Sequence, residues 1–302
     1  MFQTPYNSAP FSRFAPTDYL PAIQKAIAKS LKEIDTIAHN PEVPTYMNTI
    51  QPLAYVGLEL ERLTAMFFNL NSAETNETLQ AEAQRISPLL TDYSNDIRLN
   101  EALFKRVEAV YKTRNYLSAS PEQHTLLEKT YKSFTRNGAN LSLNDKEHLR
   151  RIDKELARLK LKFSENVLAE TQHYQWEITH KEELSGLPDF VLEMLATEAK
   201  KRHKEGWVIT LDLPVYTAVM KYANNRELRR KLFIDYHSRC AGDSAYNNEA
   251  NVLLIAELRA QRASLLGYPD YASLVLEERM AETSEKVMDF LNKLLAKAKP
   301  QA

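Results

Sequence analysis

Apolar residues recur at three- and four-residue steps along most of this chain, and that period commits it to helices. Between Thr17 and His39 they are Leu20, Ile23, Ile27, Leu31, Ile34 and Ile37, with Pro41 closing the run. A second helix is expected from a Thr45 cap to about Asn71, with Ile50, Leu53, Val56, Leu60, Leu63 and Phe67 on one face. Others follow over about 76–93, 100–114 and 121–137, the last closed by Gly138. A longer one, from Ser142 or Asn144 to about Thr171, places Leu149, Ile152, Leu156, Leu159, Phe163 and Val167 on its buried side. After Asn225 the stripe is Leu228, Leu232 and Tyr236; the next helix carries Val252, Ile255, Leu258, Arg262 and Leu265 and stops at Gly267. A short helix follows Pro269-Asp270, and a final one starts at Thr283 with Val287, Phe290, Leu291, Leu294 and Leu295 as its apolar face. The fold class is predominantly α, a multi-helical array.

Two segments break the habit. His173–Thr179 (HYQWEIT) and Trp207–Leu211 (WVITL) are rich in aromatic and β-branched residues and have strand length. A helix over Leu187–Arg202 separates them, so either a small crossover or a local antiparallel pair satisfies the pattern. The expected organisation is an extended arm over 1–16, packed on the body by Phe2, Tyr6, Phe11 and Phe14, then a helical region over 17–171. A strand-helix-strand insert over 172–212 and a second helical region over 213–302 complete it.

Several chemistries are excluded by arithmetic. The closest of the six glycines are Gly186 and Gly206, so no dinucleotide fingerprint, P-loop or nucleophile elbow can be written. With 39 basic and 40 acidic residues no global field favours nucleic acid or an anionic membrane, and neither is an expected partner. The N-terminus lacks the basic start and apolar run of a secretory signal, and no 18 apolar residues are consecutive, so a cytoplasmic location is expected. Cys240, the single cysteine, is expected as a partly buried thiol.

Candidate groups were weighed against plainer roles. Lys146, Arg150, Lys154, Arg158 and Lys162 stand at four-residue steps, a one-sign stripe that reads as a solvated face or as a groove for an anion. His173 and Glu177 would share a strand face and, with His180, form at most a weak metal site. Glu277-Glu278-Arg279 and Glu59/Glu61-Arg62 read as ion pairs on their own helix faces. None is assigned as catalytic, cofactor-binding or metal-ligating.

Tyr222, Asn225, Leu228 and Arg229 fit a Y-x-x-N-x-x-L-R segment, and Leu258–Pro269 reads LRAQRASLLGYP, followed by Tyr271-Ala272 and Met280-Ala281. Pro44–Ile50, Phe67–Leu70, Ser94–Ile97 with Leu99-Asn100, and Asn166–Ala169 join them in the same order. In these segments the chain resembles the thimet oligopeptidase family of zinc metallopeptidases. That resemblance implies hydrolysis of short peptides by a zinc-activated water, in a channel between two helical halves. It implies too that this chain is the N-terminal half of a longer protein, one wall of the channel, with the catalytic half as its partner.

The family's zinc motif is H-E-x-x-H, yet none of the seven histidines here is followed by Glu. Zinc is therefore expected in the intact parent and not on this chain, which alone should be inactive. The matching segments leave endopeptidase and peptidyl-dipeptidase specificity both open. A stand-alone helical interaction protein without catalytic activity is the alternative.

Overall fold

The computed structural model describes residues 4–301 and is helical throughout except for one two-stranded sheet. The chain divides into two compact units: Met1–Arg158 with Ala256–Ala302, and Leu159–Ile255.

The first unit begins with three single 3-10 turns, Pro5–Asn7, Phe11–Arg13 and Pro16–Asp18, before α1 (Tyr19–Ala38). The aromatic packing expected of this arm is not found for Tyr6, which is fully exposed, or for Phe11, 41% exposed; Phe2 lies outside the described residues. Only Phe14 meets the body, its ring 5.4 Å from that of Tyr19. With three prolines in residues 5–16 fixing φ, the chain turns before it can lie flat. Along α1, Leu20, Ile23, Ile34 and Ile37 are buried as their spacing predicts. Between them the buried positions are Ala26 and Ser30, because α1 packs on other helices there and small residues let the backbones approach.

A π-helical turn (Tyr46–Ile50) then runs into α2 (Gln51–Tyr55), and α3 (Leu58–Ala73) follows. Thr45 does cap: its hydroxyl accepts from Asn48 N–H at 3.2 Å while Asn48 Oδ1 accepts from Thr45 N–H at 2.8 Å. The single helix expected from 45 to 71 is nevertheless two helices. Val56 is extended (ψ 135°) and Gly57 is left-handed (φ 78°), which halts the hydrogen-bond ladder. Glycine is required there, since a Cβ would stand 2.8 Å from Tyr93 Oη and 3.2 Å from Ser30 Oγ. Those two hydroxyls share a 2.5 Å hydrogen bond.

α4 (Glu77–Arg98), α5 (Glu101–Lys112) and α6 (Pro121–Thr135) complete this layer, capped by Asn76, Asn100 and Ser120. Ile34, Ile50, Leu103, Val107, Leu127 and Phe134 belong to its core. Buried Arg106 stitches the 40–49 loop to α5: Nη1 donates to the carbonyls of Asn40 (2.7 Å) and Glu42 (3.0 Å), and Nη2 to Asn48 Oδ1 (3.1 Å). The conspicuous PTYMNTI segment is thus held through its Asn48 and Thr49 side chains and through the carbonyls just before it.

The boundary between the units falls inside α7 (Leu143–His173) and again inside α11 (Glu249–Leu265). In the second unit β1 (Trp176–Ile178) pairs antiparallel with β2 (Trp207–Ile209), in the register Trp176 to Ile209 and Ile178 to Trp207. The antiparallel alternative is therefore the one adopted. α8 (Asp189–Lys201) packs on β2, and α9 (Leu213–Tyr222) and α10 (Arg226–His237) close a core that includes Ile178, Val191, Leu195, Ile209, Val219 and Leu232. Asn225 caps α10 through the N–H groups of Glu227 and Leu228. On α11 the expected stripe holds at Ile255, which is buried, but fails at its start, where Val252 is half-exposed and Asn251 is buried instead. Asn248 causes this, since its side chain donates to the Phe163 carbonyl at 3.1 Å and accepts from Asn166 and Asn251, so the polar edge faces inward. The first unit ends with α12 (Tyr271–Leu276), α13 (Ser284–Ala298) and a 3-10 turn.

Gly57→Ala should lower stability by about 1–3 kcal/mol, the cost of forcing a side chain into a filled, left-handed site. Adding Tyr93→Phe should return part of it. Urea midpoints measure both, and a neutral Gly57→Ala would show that the helix break is not enforced by packing.

Candidate functional site

The histidine and carboxylate candidates do not converge. His173 closes α7 instead of opening the strand, so it shares no strand face with Glu177. Its Nδ1 lies 2.7 Å from the Ala169 carbonyl, and its ring stacks obliquely against Tyr246 at 5.4 Å. Glu177 pairs with Lys204 at 2.8 Å. Among the described residues no three His, Cys, Asp or Glu side chains come together in a way that could hold a metal ion. Cys240 is buried, and burial first and the Glu170 carboxylate second push its thiol up to about 11, away from thiolate chemistry.

The basic stripe on α7 is largely neutralised by acids of other elements. Arg150 pairs with Asp96 at 2.7 Å and Lys154 with Asp92 at 2.8 Å, both acids on α4. Lys146 is buried beside Glu101, whose carboxyl is held below its usual range by Lys105 and, less strongly, by Lys146. Arg158 meets Glu155 on its own helix at 2.5 Å. Lys154, Arg158 and Lys162 keep the exposure expected of a solvated face, whereas Lys146 is buried and Arg150 mostly so. The sequence showed bases at one spacing, whereas their partners lie some 50 residues away in α4.

A similar correction applies to Glu277 and Glu278, whose partners lie on α6 and not on their own helix face. Arg136 Nε pairs with Glu277 at 2.7 Å, while Glu278 takes Lys129 and, at 3.3 Å, Lys132. Tyr268 Oη also donates to Glu277, and that bond, followed by Arg136, holds the Glu277 carboxyl below the usual range. Glu59 likewise reaches to another helix, meeting Lys29 of α1 at 2.9 Å. Groups so committed to one another work as clasps, not as a general acid and base.

What the first unit does present is an apolar helix face that the described residues leave largely uncovered. α13 starts in good order, Thr283 accepting from Lys286 N–H at 3.3 Å. Val287, Phe290, Leu291, Leu294 and Leu295 line one side as their spacing predicts, with Lys286, Asp289 and Lys293 elsewhere. Yet α13 has no buried residue, and Phe290 is 65% and Leu295 57% exposed. On α1, a helix of comparable amphipathicity, eight residues are buried. Each large apolar side chain left out forgoes about 1.5–3 kcal/mol, and a contiguous face of this kind marks a surface made to be covered. The sequence revealed the face; its bareness is visible only once the rest of the unit is placed.

Residues 219–302 match the sequence model of Peptidase family M3. Over 299 residues, 99% of this chain, it is 31% identical to the dipeptidyl carboxypeptidase of Escherichia coli, and over 302 residues 30% identical to oligopeptidase A of the same organism. It is 28% identical over 292 residues to saccharolysin of Saccharomyces cerevisiae. The chain spans 44% of the length of each of the two bacterial relatives and 40% of the yeast one.

One measurement checks this surface and two check the ion pairs. Leu291→Glu with Leu294→Glu should leave the unfolding free energy, from urea midpoints, within about 0.5 kcal/mol of the parent chain, as for substitutions on an uncovered surface. A loss of several kcal/mol would mean the face is packed. Asp92→Asn with Asp96→Asn should cost about 1 kcal/mol at low ionic strength and almost nothing at high salt; equal costs would deny the neutralising role. Because Glu277 and Glu278 have depressed pKa values in the fold, their stabilisation is full above the ordinary glutamate range and is lost as pH falls through the lower, folded value. Acid-induced loosening of α12, followed by hydrogen exchange, should therefore vanish in Glu277→Gln/Glu278→Gln.

Proposed function

We propose that this chain, a relative of the M3 peptidases over nearly its whole length, is the N-terminal, non-catalytic half of a zinc-dependent oligopeptidase or peptidyl-dipeptidase. In this reading the helices of 17–171 and 213–302 form one wall of a substrate channel and the 172–212 segment is an insert in it. The wall acts by shape, admitting short peptides and excluding folded proteins, a task that needs rigid packed helices and no reactive group.

The bare face of α13 carries the proposal. Taken with a length that is 44% of its bacterial relatives', it is the surface on which a catalytic half would seat, recovering the burial energy left unrealised here. Zinc belongs to that other half. The residues of this chain do not fit the metal, lacking H-E-x-x-H and, among the described residues, any cluster of three donors, so no catalytic step is assigned to them. No helix among the described residues is long and apolar enough to cross a membrane, and a cytosolic setting goes with the reading, as one Arabidopsis thaliana relative is named a probable cytosolic oligopeptidase A.

The test compares this 302-residue chain with a longer product that continues past Ala302. The longer product should bind about one zinc ion, by elemental analysis, and cleave a quenched oligopeptide until a chelator is added, while the shorter chain does neither. Stoichiometric zinc and robust cleavage by the shorter chain would overturn the proposal. A stop codon directly after Ala302 would leave a stand-alone helical interaction protein instead.

A further inference from the structure

A cleft of about 420 Å³ opens in the first unit among α2, the C-terminal turns of α4 and α6. Leu53 and Ile97 give it an apolar wall. Ser94, Thr130 and Ser133 line it with hydroxyls that make no hydrogen bond to other described residues. Arg98, the last residue of α4, completes the lining.

Arg98 is the unusual member. It is half-buried, yet among the described residues no carboxylate stands within ion-pair distance of it and it donates no hydrogen bond. The charges that act on it are those of Arg262 and Asp153, and Asp153 is already engaged by Arg262 at 2.8 Å. Two guanidinium groups therefore share one carboxylate, and one positive charge is left over. Burial, with Arg262 adding to it, holds the Arg98 pKa below the usual guanidinium range. The negative end of the α4 dipole offsets part of that cost but supplies no counter-ion. Lys129 at the same cleft is not spare, being taken by Glu278.

We propose that this cleft binds a carboxylate carried on an apolar group, the chemistry of a peptide C-terminus with an apolar last residue. The guanidinium fork of Arg98 matches a carboxylate with two parallel hydrogen bonds. The three free hydroxyls serve its remaining lone pairs, and Leu53 and Ile97 take the apolar side chain. The volume falls within the range of small-ligand sites. The site stands on Arg98 and its surroundings and not on the peptidase reading, and its test measures binding, not hydrolysis.

The 302-residue chain is titrated with N-acetylphenylalanine and, separately, with its C-terminal amide, by calorimetry and by amide chemical shifts. The acid should bind at the cleft and the amide about tenfold more weakly or worse, as expected for losing a charge-assisted hydrogen-bond pair. Arg98→Gln should weaken the acid by a similar factor with little effect on the amide, and Arg98→Lys should keep part of the affinity. If Arg98→Gln fails to fold in a thermal melt, the acid-to-amide ratio and Arg98→Lys still decide. Equal binding of acid and amide, absence of saturable binding, or inorganic phosphate competing as well as the acid would each overturn the proposal. So would loss of binding in the longer product, since the cleft would then be filled by protein.

Discussion

A base at every fourth position of α7 would repel its neighbours along the helix, by about 0.2–0.5 kcal/mol for each adjacent pair. The first unit is arranged so that this does not happen. Asp92 and Asp96 stand one turn apart on α4, opposite Lys154 and Arg150, so two helices are brought to one another by matched charge at matched spacing. Asp153, on the same stretch of α7, accepts from Nε of Arg262 of α11, whose Nη2 donates to Asn137 Oδ1 beyond the end of α6. Arg262–Asp153 is shielded from water and Arg150 partly so, while Lys154–Asp92 is exposed; all three share α7, so the entropy of ordering it is spread among them. Apolar burial of Leu149, Ile152 and Leu156 supplies most of the energy, and the charges fix which helix meets which.

The same device recurs wherever this unit joins distant parts of the chain. Arg136, Lys129 and Lys132 on α6 receive Glu277 and Glu278, and Arg106 on α5 captures carbonyls of the 40–49 loop. Segments that look conspicuous in the sequence, such as PTYMNTI and the glutamates near 277, turn out to be joints. Two features stand apart from these joints: the uncovered face of α13 and Arg98, which shares one carboxylate, Asp153, with Arg262. Each is a valence that the described residues leave open, one apolar and one ionic.

Much of the candidate surface was legible before any coordinates. The α13 stripe, its Thr283 cap and the lack of H-E-x-x-H follow from spacing alone. Arg98 was not legible, because nothing local distinguishes an arginine that has a partner from one that has none. Nor were the partners of the α7 bases, since Coulomb attraction acts across sequence separations that periodicity does not see. The break at Val56–Gly57 lies inside a good apolar stripe, and what keeps that position glycine is Tyr93, 36 positions later.

The sequence by itself determined the helical class, where most helices start and stop, which face of each is apolar, and the short strands, because caps, prolines and the 3.6-residue period act within one or two turns. Tertiary structure alone decided that the strands pair antiparallel, that the helix after Thr45 is two helices, that the start of the α11 face is turned by Asn248, and that the charges of α7 are neutralised. It also decided that α13 is bare. Those outcomes depend on which atoms are brought within a few ångströms by the folding of residues far apart in the chain, and packing of that kind has no local signature.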